Sequence, residues 1–319
     1  MEQALLREAL ETVVNGTDLS REQARAVMDV MMNGAATPVL VAAFLAALRS
    51  KGETVDELTG MLQSMREHAV TVEVPADAVD TCGTGGDAAG TFNISTAAAL
   101  VAAAAGCVVA KHGNRAASSR CGSADVLEAL GVQVDLPPDG VLRCIDAANI
   151  GFLYAPSYHP SMRHVSPTRR ELGIRTAFNL LGPMANPARV RRQALGVPDA
   201  DVGLRMASVL QRLGHERAMV FTGHGGIDEL SLDGPAVCHQ LEGGQVVTTS
   251  VDPAALGLQP APLEALRGGG AAFNAARISA VLDGETGPRR DTVALNAAAA
   301  LVVALSLIHI SEPTRQAEI

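Results

Sequence analysis

The stretch Asp80–Thr96, DTCGTGGDAAGTFNIST, decides how the chain is read. Four glycines (Gly83, Gly85, Gly86, Gly90), two acids and a run of hydroxyl and amide side chains stand between two apolar segments. A hydrophobic core has no use for such a loop. A strand is expected just before it, at Val79–Cys82, and a helix just after it, from about Ser95. Glycine lets the backbone turn with positive φ and lets N–H groups approach an anion closely. Asn93, Ser95 and Thr96 fall at the start of the coming helix, where free N–H groups and the helix dipole favour phosphate. On these residues alone, a tight turn with an ordinary N-cap is an equal alternative. The spacing is neither G-x-G-x-x-G nor G-x-x-x-x-G-K-[ST], so neither dinucleotide nor P-loop chemistry is implied.

Outward from this loop, short apolar runs alternate with helical stretches. Further strands are expected at Cys107–Lys111, Val132–Leu136, Phe152–Pro156, Gln193–Pro198 and Ala218–Gly223, and a hairpin over 236–251 turning at Gly243-Gly244. The alternation predicts a mainly parallel sheet covered by helices, with ligands at the carboxyl ends of the strands. Residues 1 to about 70 instead read as helix throughout: Leu5, Leu6 and Leu10, then Ala24, Val27, Met28, Met31 and Met32, recur at helical spacing. Ser20 with Gln23 forms the pattern of a capping box, and Thr37-Pro38 opens the next helix. Thr37–Gly52, TPVLVAAFLAALRSKG, is apolar nearly all round and is expected to be buried in the protein or against a second subunit. VTVEVPADAV, Val70–Val79, breaks the helical period and is the expected domain link. The fold class is therefore α/β, with a small N-terminal helical domain over 1–70 and a large α/β domain over 71–305.

Composition narrows the function. The 319 residues are 48% hydrophobic but only 3% aromatic, with no Trp, so the apolar mass is Ala, Val and Leu suited to close-packed helices and parallel strands. A net charge of -9 disfavours a polyanion-binding surface, though not a local phosphate site. The five cysteines (Cys82, Cys107, Cys121, Cys144, Cys238) are odd in number and show no C-x-x-C spacing, which points to reduced thiols rather than disulfides or zinc. No signal-peptide pattern opens the chain, and the longest apolar run is too short and alanine-rich for a membrane span. A cytoplasmic protein with no membrane and no nucleic-acid partner is expected.

Three more clusters carry chemistry. KHGNRAASSRCGSAD, Lys111–Asp125, follows a strand and supplies positive charge from Lys111, Arg115 and Arg120, with directional hydrogen bonds from Asn114, Ser118, Ser119 and Ser123. Two polar clusters at successive strand ends, each opening a helix, suit a ligand with phosphates at two ends. GHGGIDELSLDG, Gly223–Gly234, contains the adjacent carboxylates Asp228 and Glu229. A lone pair of acids is often a solvated turn, but beside phosphate loops a few carboxylates plus substrate oxygens are how Mg²⁺ is held. These two are expected as exposed loop carboxylates. YAPSYHPSMRHVSPTRRELGIRTAFNLLGPMANP, Tyr154–Pro187, crowds Arg163, Arg169, Arg170 and Arg175 where an arginine fork could meet a planar carboxylate. Tyr158 and His159 line a pocket or simply pack, and His112 could touch substrate. No Ser-His-Asp or G-x-S-x-G pattern is present.

Taken together, GTGGD, NIST, KHGNR-x-x-SS-x-x-GSAD, RRELGIRT-x-FN-x-LGP-x-x-NP and the Asp228-Glu229 pair, in this order, closely resemble the anthranilate phosphoribosyltransferase family, from the N-terminal helices to about Ala304. The resemblance implies a homodimer formed through the helical parts, and a step of tryptophan biosynthesis: Mg²⁺-dependent transfer of phosphoribose from phosphoribosyl pyrophosphate to the amine of anthranilate. By position, it implies that Gly83, Gly86, Asp87 and Thr91 sit at phosphoribosyl pyrophosphate. It places Asn93, Ile94, Ser95 and Thr96, with Lys111, His112, Gly113, Asn114, Arg115, Ala116, Ala117, Ser118 and Ser119, around its phosphates and ribose, Ser123 close by. It also implies two Mg²⁺ ions, one shared by Ser95 and Glu229 and one held by Asp228 and Glu229, and puts Asn114 and Arg169 at anthranilate.

One departure stands out. After DTVALNAAAALVVAL the chain turns to SLIHISEPTRQAEI, Ser306–Ile319, which lacks the family's helical continuation and reads as a non-native tail. Two other readings share the fold. A pyrimidine-nucleoside phosphorylase would carry a K-x-S-T-G-G type loop in place of GTGGD and NIST. A non-enzymatic nucleic-acid-binding relative would want a basic helical face and would lack the Asp228-Glu229 pair and Arg169; tight binding of single-stranded DNA would favour it.

Overall fold

The computed structural model describes residues 2–116 and 119–304. Ala117, Ser118 and the tail from Ser306 lie outside the described residues. Four helices open the chain: α1 (Glu2–Val14), α2 (Arg21–Met32), α3 (Pro38–Lys51) and α4 (Val55–Glu67). Capping chemistry sets where they start. Ser20 accepts from the Gln23 N–H while the Gln23 side chain accepts from the Ser20 N–H, a reciprocal capping box. Thr37 caps α3 with Pro38 at its first position, and Thr54 with Glu57 makes a second capping box at α4. Glu57 is fully buried, and it can be because it accepts from the N–H groups of Leu19 and Thr54 and from Lys51. Helix α3 buries Val41, Phe44, Leu45 and Leu48 but leaves Val39 77% exposed, so only part of its apolar surface is used within the chain.

The seven strands are β1 (Val79–Gly83), β2 (Val109–Gly113), β3 (Ile150–Tyr154), β4 (Arg192–Gly196), β5 (Arg217–Thr222), β6 (Ala236–Glu242) and β7 (Gln245–Val251). They form one sheet in the order β3-β2-β1-β4-β5-β6-β7, with β1 to β5 parallel and β6 and β7 antiparallel. The hairpin turns at Gly243 and Gly244, both with positive φ, as a two-residue turn between twisted strands requires. Strand order reverses between β1 and β4, so the crevice beyond their carboxyl ends is the topological switch point, where open α/β sheets bind ligands.

Period-two alternation gives the sheet two covered faces. Ala218 and Val220 of β5 face one way, into a core continuous with the four N-terminal helices, α10 (Ala177–Met184) and α11 (Ala200–Arg212). Met219 and Phe221 face the other way, into a core with α5 (Ile94–Ala104) and α13 (Pro288–Ala304). The alanines of α5 (Ala98, Ala99, Ala102, Ala103) are buried, which lets that helix lie close on the sheet.

Val132–Leu136, expected as a strand, is not one. Its V-Q-V-D-L alternation does bury Val134 against Phe152 of β3, but the segment pairs with no strand. Its polar groups are met otherwise: the Val132 N–H donates to Leu127 C=O, Leu136 C=O accepts from the Tyr158 hydroxyl, and Asp135 accepts from Ser157. Pro137 and Pro138 follow, and their missing N–H groups leave nothing to extend a ladder. Among the described residues no helix is long and apolar enough to cross a membrane.

Candidate active site

Glycine at the two central strand ends admits the acidic segment. A Cβ on Gly83, the last residue of β1, would collide with the Asp228 side chain, and one on Gly196, the last of β4, with the Asp228 backbone. The Thr84 N–H donates to Gly196 C=O at 2.9 Å and ties the two strand ends together. Beyond β1 the loop turns through positive φ at Gly85 (67°), Gly86 (75°), Ala88 (58°) and Gly90 (63°). Of these four, only Ala88 carries a side chain that disfavours the conformation.

Asp228 and Glu229 are not exposed loop carboxylates as expected; they are 8% and 7% exposed. The cause is hydrogen bonding to the phosphate-type loops themselves. Asp228 Oδ2 accepts from the Gly85 N–H at 2.6 Å, and Glu229 Oε1 accepts from the Ser95 N–H at 3.1 Å, in the first turn of α5. Asp87 Oδ2 lies 3.5 Å from the Asp228 N–H. Burial pushes both carboxyls up, and the charge of Asp87 adds to it at Asp228, that of Asp228 at Glu229. Two buried carboxyls, with the side chain of Asp87 close by, fit a hard divalent cation. Among the described residues no group of three or more His, Cys, Asp or Glu side chains converges as a ready metal cage, so substrate oxygens and water would have to complete the coordination.

Lys111, expected where a strand gives way to a polar cluster, lies in the middle of β2 and is buried, and its Nζ donates to Thr81 C=O at 2.5 Å. Thr81 in turn donates through its hydroxyl to Ser95 C=O at 3.0 Å, joining β1, β2 and the start of α5. Beneath lies Asp80, fully buried. Its carboxylate accepts from the His112 N–H at 3.1 Å and from Asn186 Nδ2 at 2.9 Å, and burial raises its pKa to about 6. The rings of His112 and His159 lie 5.1 Å apart, tilted by 56°, and burial lowers both pKa values, that of His159 to about 4. Tyr158 is 1% exposed and bonds Leu136, so of its two expected roles it takes packing.

The remaining expected residues divide. Asn93 uses both ends of its amide, donating to Cys121 C=O at 3.2 Å and accepting from Asn274 at 2.9 Å. Ile94 is wholly buried in the core, and Thr96 is 1% exposed, so only their backbones reach the loop region. Arg115 does not extend freely: it pairs with Asp125 and Glu128 and donates to the Tyr154 hydroxyl. Asn114 accepts from the Arg115 N–H, its C=O from the Ala124 N–H and the Ser123 hydroxyl. The Ala116 N–H donates to Asp125 at 2.9 Å. A Cβ on Gly113 would strike Ser123 and Phe152. Arg169, in α9 (Ser166–Leu172), lies 4.8 Å above the Phe178 ring, and burial lowers its pKa. Arg175 reaches back to Gly85 C=O at 2.7 Å and so clamps the glycine loop.

A cleft of about 400 Å³ opens between Gly86–Thr91, Ser119–Cys121 and a third wall of Arg267, Gly268, Gly269 and Asn274. The sequence reading missed that third wall. Its signal was present in RGGGAAFN, a glycine run opening α12 (Ala271–Leu282).

A switch-point crevice with glycine loops, an acidic pair and a helical bundle packed beside it defines a glycosyl transferase of two-part architecture. Models of the glycosyl transferase family match the chain in both parts, the a/b domain over residues 75–318 and the helical bundle domain over 7–69. The chain belongs to the anthranilate phosphoribosyltransferase family. It is 55% identical over 299 residues to anthranilate phosphoribosyltransferase of Chloroflexus aggregans, covering 93% of this chain and 88% of that one. The crystal structure of the Thermus thermophilus protein superposes with a TM-score of 0.87 at 47% identity, covering 93% of this chain and 89% of that one. The Saccharomyces cerevisiae protein in complex with PRPP and Mg superposes with a TM-score of 0.85 at 27% identity, covering 95% and 89%. The same yeast protein is also known in complex with 4-fluoroanthranilate, with a TM-score of 0.84 at 26% identity over the same shares of the two chains.

Proposed function

We propose that the chain transfers the phosphoribosyl group of 5-phosphoribosyl 1-pyrophosphate (PRPP) to the amine of anthranilate, giving N-(5-phosphoribosyl)anthranilate and pyrophosphate, with Mg²⁺. The observation that carries this reading is the meeting of the glycine loop, the start of α5 and the Asp228-Glu229 pair at the β1/β4 switch point. Gly83, Gly86, Asp87, Thr91 and Asn93–Thr96, with Lys111–Ser119 and Ser123, would receive PRPP. Asp228 and Glu229, with the Ser95 hydroxyl, would hold two Mg²⁺ ions. Mg²⁺ at these oxygens would neutralise the charge that develops on departing pyrophosphate.

The chain's own groups then position rather than exchange protons. Lys111, in the middle of β2, is fixed on Thr81 C=O of β1. Arg175 holds the loop by Gly85 C=O. Arg169, half-buried beside Phe178, would clamp the anthranilate carboxylate, and Asn114 would share that task, setting the weak aromatic amine in line with the ribose carbon. Depressed pKa values at His112 and His159 keep those imidazoles neutral and argue for no acid–base role. A homodimer through the helical part fits the exposed Val39 of α3. We place the boundary between the helical and α/β domains near residue 70 and the protein in the cytoplasm. Loss of anthranilate fluorescence on mixing with PRPP and Mg²⁺ tests the reaction; no loss at saturating substrates would reject it.

A further inference from the structure

The third wall of the cleft is built into the glycine loop, yet none of the expected site residues belongs to it. The Gly268 N–H donates to Gly90 C=O at 2.8 Å, the Phe92 N–H donates to Leu266 C=O at 3.0 Å, and Thr91 and Arg267 form an antiparallel bridge. A Cβ on Gly268 would run into the backbone of Thr91 and Phe92, so only glycine permits this approach. Asn274, 1% exposed, accepts from the Gly269 N–H at 2.7 Å and donates to Asn93 at 2.9 Å; Asn93 donates on to Cys121 C=O. One chain of hydrogen bonds therefore fixes all three sides of the cleft relative to one another.

Charge then distinguishes the cleft. Two exposed guanidiniums, Arg120 and Arg267, line it, and neither has an ion pair or hydrogen bond among the described residues. Against them stands one carboxylate, Asp87, whose oxygens already accept from the N–H groups of Ala89 and Asp228. The volume of about 400 Å³ suits a small ligand. Arg169, proposed above for the anthranilate carboxylate, does not line this space.

We infer that Arg267 is a further substrate-binding residue, donating to a phosphate oxygen of PRPP held between the glycine loop and Ser119–Cys121. Arg267 thereby closes a side of the phosphate site that the loops at β1 and β2 leave open, and Asn274 positions Asn93 for the same ligand. The inference rests on the proposed phosphoribosyl transfer and deepens it.

The test is calorimetric binding of PRPP with Mg²⁺ to the unaltered chain, Arg267→Ala and Arg267→Lys, alongside KM for both substrates. Because Arg267 is exposed, the Ala variant is expected to fold with an unchanged melting temperature. PRPP should bind about tenfold or more weakly to Arg267→Ala, with partial recovery in Arg267→Lys and an anthranilate KM within about twofold of the parent. Equal PRPP affinity in the Ala variant and the parent overturns the inference and leaves the proposed transfer standing. A loss shared equally by both substrates, without recovery in the Lys variant, assigns Arg267 to the loop's stability and also overturns it. A parent chain that binds no PRPP removes the proposed transfer and this inference with it.

Discussion

The backbone N–H of Gly85 donates to the carboxylate of Asp228 at 2.6 Å, across 143 positions of sequence. An amide of the type suited to phosphate is thus occupied by the protein's own anion, as is the Ser95 N–H by Glu229. The two carboxylates hold the loops in place and are proposed as metal ligands, two duties that substitution can separate. Asp228→Asn keeps an oxygen for the Gly85 N–H but removes a buried, crowded charge. We expect its melting temperature to equal or exceed the parent's, while Mg²⁺-dependent turnover falls about 100-fold or more, the scale of losing an electrostatic stabiliser of the transition state. Thermal melts and a Mg²⁺ titration of the rate decide it; preserved turnover would remove the metal assignment.

Arg169 has no carboxylate partner among the described residues, only the face of Phe178 at 4.8 Å. A half-buried guanidinium whose pKa is lowered by desolvation gains by meeting an anion. Arg169→Ala should therefore raise the anthranilate KM by about 10- to 100-fold, since a charge-assisted hydrogen bond contributes about 1.5–3 kcal/mol. The PRPP KM should move little. Equal increases for both substrates would instead place the arginine at the phosphates or in the fold.

Much of this arrangement was legible in the chain. Capping residues at Ser20, Gln23, Thr37 and Pro38 mark helix starts by local chemistry, which sequence displays directly. Strand-end loops were legible because a parallel sheet gathers them at one edge. What failed depended on tertiary partners. Val132–Leu136 alternates like a strand, yet Leu127 C=O and the Tyr158 hydroxyl take backbone groups a neighbouring strand would need. The acidic pair looked solvated because its amide partners lie more than 130 residues away. The Arg267 wall likewise reads as a glycine-rich turn until it meets Gly90 and Phe92.

Asn186 illustrates a motif residue that reads as part of a site but works beneath it. Its Nδ2 donates to Asp80 at 2.9 Å and to Ala110 C=O at 2.8 Å, and its Oδ1 accepts from the Ala188 N–H. Replacing it with Ala would leave a buried carboxylate and a buried carbonyl short of donors. The expected loss is about 3 kcal/mol, two unmet partners of which one is charged. Urea unfolding measures it. A change under about 1 kcal/mol would mean that water or a neighbour takes over the amide's bonds.

The last expectation is a pH dependence. His215 is 6% exposed, shares its Nδ1 with Leu210 C=O at 3.1 Å, and leaves Nε2 without a partner. Only the neutral ring fits: protonation would bury a second N–H with no acceptor. Burial, with help from the Arg66 charge, lowers its pKa to about 3, and burial lowers that of His159 to about 4. A group whose folded pKa is depressed contributes stability that is present above its unfolded pKa, about 6.5 for His, and lost as pH falls toward the folded value. Each such histidine should therefore steepen the loss of stability below pH 6.5 by up to about 1.4 kcal/mol per pH unit. Asp80 works in the opposite sense: its pKa is raised to about 6, so its contribution is fully present below its unfolded value near 3.8 and is lost as pH rises through about 6. The net curve of the parent mixes the two, and a variant separates them. His215→Gln keeps a donor for Leu210 but cannot titrate, so its stability should fall less between pH 6.5 and 4.5 than the parent's, even if it starts lower. Urea unfolding of both chains across that range settles the matter, and parallel curves would show that His215 does not contribute to acid sensitivity.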